Sequence, residues 1–222
     1  MSASLTRIHL VGELRAYFSA AKRGVFNVFL AYALILSGCT QTPRPPSPRE
    51  IESNSPPALT LTTSDDRSTS PFDPSAKLHV FLFARTDCPI SNRYAPEVRR
   101  IVEKFAAHDV KFHLVYPDPD TPSDAMAQHL REFAYPCSGL HDPRHELVRL
   151  AGAKVTPEAA VFDAQRQLIY CGRIDDRFAA FGTERASATT LDLINAIERG
   201  LEGGSVQCVR TEAIGCYIGD LR

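Results

Sequence analysis

From Lys77 onward the chain falls into short apolar runs separated by polar breaks. Leu78-His-Val-Phe-Leu-Phe83 and Val110-Lys-Phe-His-Leu-Val-Tyr116 are compact and rich in β-branched and aromatic residues, which predicts two buried strands. Between them, Pro89 to His108 carries apolar residues at 94, 95, 98, 101, 102, 105 and 106, the spacing of one helix face. Ser123 to Phe133 reads as a second helix, with Ser123 as N-cap after Pro122. A third is predicted over Arg144 to Leu150, capped by Asp142 with Pro143 at its first position. Glu158 to Asp163 and Gln167 to Cys171 flank a polar turn and predict a hairpin. Thr189 to Leu201 is a final amphipathic helix, closed by Gly203-Gly204. The order β-α-β-α-α-β-β-α predicts an α/β fold, a mixed β-sheet flanked by helices on both faces.

Upstream the pattern is different. Residues 39–76 contain Pro43, Pro45, Pro46, Pro48, Pro56, Pro57, Pro71 and Pro74 among many Ser and Thr. Such a stretch buries too little apolar surface to offset the entropy of ordering, and reads as an extended, disordered tether. The alternation of Ala58 to Thr62 leaves room for one edge strand. Residues 1–38 read as a signal peptide. Arg15, Lys22 and Arg23 precede the apolar core Val25 to Leu36, which is too short for a spanning helix. The core ends in Leu36-Ser37-Gly38-Cys39, which resembles the lipobox of bacterial lipoproteins. That resemblance implies a diacylated Cys39 and a domain facing the periplasm or cell exterior. An uncleaved N-terminal anchor is the alternative, and it too exports the domain.

Of 222 residues, 44% are hydrophobic and 23% charged, as in an ordinary globular domain with attachments. The net charge of −1 becomes more acidic once Arg7, Arg15, Lys22 and Arg23 leave with the signal, which argues against a nucleic-acid partner.

The chemistry gathers after the first strand, in Thr86-Asp87-Cys88-Pro89-Ile90-Ser91. A cysteine at a helix N-terminus faces unpaired N–H groups, which favour thiolate, the nucleophile of disulfide exchange. Asp87 acts against this. Here the sequence resembles the thioredoxin superfamily. Cys88-Pro-Ile-Ser91 stands where the family has C-x-x-C, Ala95-Pro96 matches the alanine-proline that kinks the active-site helix, and Thr156-Pro157 before a strand resembles the cis-proline loop. The resemblance covers residues 77–203 and implies a thioredoxin-like fold. It makes Cys88 the nucleophile, Ser91 an aid to its thiolate, and Pro157 the shaper of the site, with Thr86, Asp87, Pro89 and Thr156 lining the substrate. The T-D-C-P-I-S-N-R-Y-A-P and G-R-I-D-D segments also resemble a redoxin branch near the peroxiredoxins. The peroxiredoxin signature itself fails, because Phe81 and Arg85 occupy its proline and Thr/Ser positions. Neither a dissociable cofactor nor a metal site is expected. Partners are expected to be protein or small-molecule thiols and disulfides, and the membrane through the lipid.

Ser91 cannot resolve a mixed disulfide, so a second sulfur must come from elsewhere or the enzyme is monothiol. Cys88, Cys137, Cys171, Cys208 and Cys216 make an odd set, so one thiol stays unpaired within a monomer. Cys208 and Cys216 lie in a C-terminal extension, residues 204–222. They either staple that tail or, in the case of Gly215-Cys216, fold back to Cys88 as resolving partner. The readings carried forward are a thiol–disulfide oxidoreductase, a non-catalytic binding module and a thiol peroxidase. Cys137, His141 and His145 have metal-like spacing, but Pro136, Gly139 and Pro143 interrupt any helix, favouring structural roles. Arg173 to Arg177 is expected as a solvated turn, Arg93 and Glu97 as a surface pair, and His79 and His113 as satisfied strand positions.

Overall fold

The computed structural model describes residues 59–203 and 207–219. The signal peptide, Cys39 and the first part of the tether lie outside the described residues.

Among the described residues, twelve strands and five helices follow in chain order. A short hairpin comes first, β1 (Leu61–Thr63) and β2 (Ser68–Thr69), then β3 (Leu78–Phe83). Helices α1 (Pro89–Arg93) and α2 (Ala95–Lys104) lead to β4 (Val110–Tyr116), α3 (Ser123–Glu132) and β5 (Ser138–His141). Next come α4 (Glu146–Ala151), β6 (Val155–Thr156), β7 (Glu158–Asp163) and β8 (Leu168–Gly172). A hairpin of β9 (Phe178–Ala180) and β10 (Thr183–Glu184) precedes α5 (Asp192–Glu202). The tail supplies β11 (Val209–Arg210) and β12 (Cys216–Tyr217).

Eight strands form one mixed sheet in the order β11-β8-β7-β3-β4-β5-β1-β2. The central strand β3 runs parallel to β4 and antiparallel to β7. Its side chains divide between the two faces, as a two-residue period requires. Leu78, Val80 and Leu82 pack with Val98 and Ile101 of α2, Met126 of α3, and Leu193 and Ile197 of α5. Phe81 and Phe83 pack on the other face with Leu147 and Val148 of α4 and with Leu61, Phe72 and Ile218. The expected α/β sheet with helices on both faces is present, and every residue of β3 is buried.

Several boundaries differ from the expectation. Residues 59–76 are part of the domain, whereas their proline, serine and threonine content predicts a tether through to 76. Leu61 and Phe72 are both core residues, and β1 pairs with β5. Proline content masked a few apolar anchors here. The helix expected over Pro89–His108 breaks at Tyr94, one residue before the Ala95-Pro96 pair, and ends at Lys104. The helix expected over Arg144–Leu150 starts at Glu146 instead. Asp142 does cap it, accepting from the N–H groups of Glu146 (2.7 Å) and Val148 (2.9 Å), but across a left-handed His145 (φ 55°) rather than through Pro143. Strand β5 was not foreseen.

The extension beyond 203 also belongs to the sheet. Strand β11 lies parallel to β8, with Val209 opposite Tyr170 and Arg210 opposite Cys171. Thr211 locks that edge: its N–H donates to Cys171 O (3.2 Å) and its hydroxyl lies 2.7 Å from the Tyr170 hydroxyl. A Cβ on Gly172 would sit 2.2 Å from Thr211 Oγ1, so only glycine lets the tail approach this closely.

Candidate functional site

Strand β3 delivers the chain to a loop, Ala84 to Asp87, and Cys88 then caps α1 with extended backbone (φ −82°, ψ 111°). Pro89 occupies the first turn, where its missing N–H costs nothing. Cys88 is 1% exposed. Its Sγ lies 3.1 Å from Thr156 O, and the Thr156–Pro157 peptide is cis. The three expected residues Cys88, Thr156 and Pro157 therefore meet across the ends of β3 and β6.

The tail completes the site. Strand β12 pairs antiparallel with β6, placing Cys216 opposite Thr156 and Tyr217 opposite Val155. Cys216 Sγ stands 2.8 Å from Cys88 Sγ, and Thr156 Oγ1 donates to Cys216 O at 3.4 Å. Gly215 lies against the cis-proline loop: a Cβ there would fall 2.2 Å from Thr156 O. Of the two tail cysteines, Cys216 reaches Cys88 while Cys208 is exposed near the start of β11.

Electrostatics separate the thiols. Burial opposes ionisation of Cys88, but the Cys216 thiol 2.8 Å away and the neighbouring Ser91 outweigh it, and its pKa lies below the ordinary 9.0. In the resting thiol arrangement the Ser91 hydroxyl has no partner of proper hydrogen-bond geometry. It is thus free to turn to the sulfur as charge develops there. Burial, together with the neighbouring Cys88, pushes Cys216 up to about 11. Burial pushes Cys137 and Cys171 up to about 12. Asp87 is held by Arg85 (3.0 Å), which also reaches Asp118 (3.4 Å). Thr86 serves the site through its carbonyl, which accepts from Asn92 Nδ2 at 3.0 Å.

Two buried networks brace α1, and neither was foreseen. Asn92 Oδ1 contacts His129 Nε2 (2.8 Å), and His129 Nδ1 contacts the Tyr116 hydroxyl (2.9 Å). On the other side the Tyr94 hydroxyl donates to Asp175 Oδ1 (2.6 Å), and Arg177 bridges Asp175 and Glu97. The segment Arg173 to Arg177 is therefore a buried brace, where a solvated turn was expected. Asp175 and Asp176 are both buried, and Asp176 accepts from the N–H groups of Thr189 and Thr190. Glu97 pairs with Arg100 and Arg177, while Arg93 pairs with Glu184, so the expected Arg93–Glu97 pair is absent. His113 meets Ser138, but His79 Nδ1 has no partner, contrary to expectation. His141 and His145 each turn Nε2 to a backbone carbonyl, of Asp118 and Pro117 respectively.

A family model for redoxins matches residues 52–183, more than half of the chain. The chain belongs to the redoxin family. Among solved structures, the redoxin is similar to a hypothetical protein from Sinorhizobium meliloti at 20% identity, covering 72% of this chain and 89% of that one with a TM-score of 0.61. An uncharacterized conserved protein from Geobacillus kaustophilus matches at 24% identity over 72% and 88%, again with a TM-score of 0.61. A candidate thioredoxin from Neisseria meningitidis matches at 15% identity over 66% and 89%, with a TM-score of 0.50. These likenesses establish the thioredoxin-like fold of the redoxin. No curated protein sequence matches it.

Proposed function

We propose that this redoxin is an extracytoplasmic thiol–disulfide oxidoreductase in which Cys88 and Cys216 alternate between dithiol and disulfide. The observation that carries this reading is the 2.8 Å separation of the two sulfurs, built by pairing β12 on β6 beside Pro157. Cys88 supplies the thiolate, as the thiol with the lowered pKa, and Ser91 supports the charge. Thiolate is the form that attacks a disulfide sulfur, so the pair has one sulfur ready to react and one close enough to receive it. Thr86, Asp87 and Pro89 form the rim that a partner thiol or disulfide meets, while the expected fourth residue, Thr156, is fully buried beneath β12. Export and anchoring rest on the N-terminal sequence, with Cys39 as the lipidated residue. Among the described residues no helix is long and apolar enough to cross a membrane.

The rival readings have less support. A non-catalytic binding module leaves the approach of Cys216 to Cys88 unexplained. A thiol peroxidase needs a peroxide-positioning hydroxyl where Arg85 stands.

The deciding test is reduction of a protein disulfide by a dithiol donor with purified protein. Cys88→Ser and Cys216→Ser should each bring turnover down to the background rate of the donor, while Cys208→Ser keeps it. Full turnover by Cys88→Ser would refute the assignment.

A further inference from the structure

The two sulfurs differ sharply in access. Cys88 is 1% exposed, and the sulfur of Cys216 stands 2.8 Å from its own. Cys216 is only half-buried, and it is followed by Tyr217, which is 79% exposed. This difference is held in place from both sides of Cys216. Upstream, the Arg210 guanidinium donates to Ala151 O (2.9 Å) and Gly152 O (3.4 Å), and Thr211 is fixed to β8. Downstream, the Ile218 N–H donates to Lys154 O (2.9 Å) and the Ile218 side chain is in the core. Gly215 rests on the carbonyl of Thr156. The tail is thus a seated part of the fold, with Cys216 held against the buried sulfur of Cys88.

We propose that Cys216 is the sulfur through which external thiols and disulfides exchange, and that Cys88 reacts only with Cys216. This rests on the reading of Cys88 and Cys216 as a redox pair, and it fixes which of the two faces the partner. It inverts the roles expected from the sequence, where Cys88 met the partner and Cys216 resolved. Cys88 remains a nucleophile, but its target is the sulfur of Cys216.

The steps follow from displacement at sulfur, in which attacking, central and leaving atoms align. An external thiolate attacks Cys216 Sγ of the oxidised pair. The bond to Cys88 Sγ breaks, and Cys88 leaves as thiolate on the buried side. A second external thiolate, from the same dithiol or another monothiol, then attacks the external sulfur. The external pair departs as a disulfide, and Cys216 leaves as thiolate and takes up a proton. Two electrons pass from the external thiols to the pair. In the opposite direction, the Cys216 thiol passes its proton across 2.8 Å to the Cys88 thiolate. The Cys216 thiolate so formed attacks an external disulfide and expels one thiolate, which takes the proton back from Cys88. Cys88 thiolate then attacks Cys216 Sγ in the mixed disulfide and expels the other.

The test uses the purified full chain, oxidised and then mapped under non-reducing conditions for the Cys88–Cys216 bridge. The bridged protein is mixed briefly with glutathione, quenched with N-ethylmaleimide and mapped again. The expected result is glutathione on the Cys216 peptide and maleimide on the Cys88 peptide, exceeding the reverse pattern by roughly tenfold or more. Glutathione on Cys88 with maleimide on Cys216, or an even mixture, overturns the proposal while leaving the redox pair intact. Absence of the bridge before glutathione is added overturns both.

Discussion

At the scale of single residues, the cysteines of one small domain hold widely different affinities for a proton, and burial is the main cause. Cys137, Cys171 and Cys216 are pushed up to about 12, 12 and 11, whereas hydrogen bonds to its sulfur take Cys88 below 9.0. These shifts act on stability with opposite signs. A thiol whose folded pKa exceeds its unfolded value contributes stability that is complete below the unfolded pKa and is lost as pH rises to the folded one. Cys137, Cys171 and Cys216 therefore withdraw stability between pH 9 and about 11 to 12. Cys88, with a folded pKa below its unfolded value of 9.0, contributes stability that is present above pH 9 and is lost as pH falls through the folded pKa. The urea midpoint of the reduced protein is expected to fall steeply above pH 9, and Cys137→Ala should make that fall shallower. An equal slope in both proteins would count against burial as the cause.

At the scale of elements, the site depends on a pair of two-residue strands. Gly215→Ala places a methyl group where 2.2 Å separates it from the Thr156 carbonyl oxygen, so β12 must move away from β6. Displacing a reacting group by about 1 Å costs on the order of a hundredfold in rate. Closure of the Cys88–Cys216 bridge should slow by about that factor, read by rapid-quench alkylation, while Gly219→Ala, with open space around it, leaves the rate unchanged. Elements of this length explain what was and was not legible in the sequence. Strands β3, β4, β7 and β8 and helix α5 announce themselves through periodicity, because each has five or more residues with one or two buried faces. Cys88, Thr156 and Pro157 were legible because motif and spacing survive without any periodicity. Strands β11 and β12 have no period to read, since their positions are set by contacts with β8 and β6 far away in the chain. Strand β5 was hidden for a related reason: Gly139 sits there because Leu130 and Tyr116 press within 3.0 to 3.1 Å of where its Cβ would be, and glycine otherwise signals a loop. The Asn92–His129–Tyr116 contacts were invisible because polar residues at helical spacing normally face water.

At the scale of the whole molecule, the tail is as much a part of the domain as the central sheet. Ending the chain after Gly203 removes β11 and β12 together with the core residue Ile218. Loss of Ile218 burial alone costs about 2 kcal/mol, which lowers Tm by roughly 5 °C in a domain of this size. The truncated protein should also expose Cys88 to iodoacetamide, a readout that a merely less stable fold does not share at low temperature. The segment between Cys88 and Cys216 spans 128 positions, nearly the entire domain. Joining such distant points closes a very large ring in the unfolded chain, and rings of about 100 residues lower its entropy by an amount equivalent to about 4.7 kcal/mol at 25 °C. If the pair cycles as proposed, each turnover ties and unties a topological constraint on the denatured ensemble. The redox state of two sulfurs is written into the melting behaviour of the protein, and by reciprocity anything that favours the folded domain, a docked partner included, shifts the balance between dithiol and disulfide.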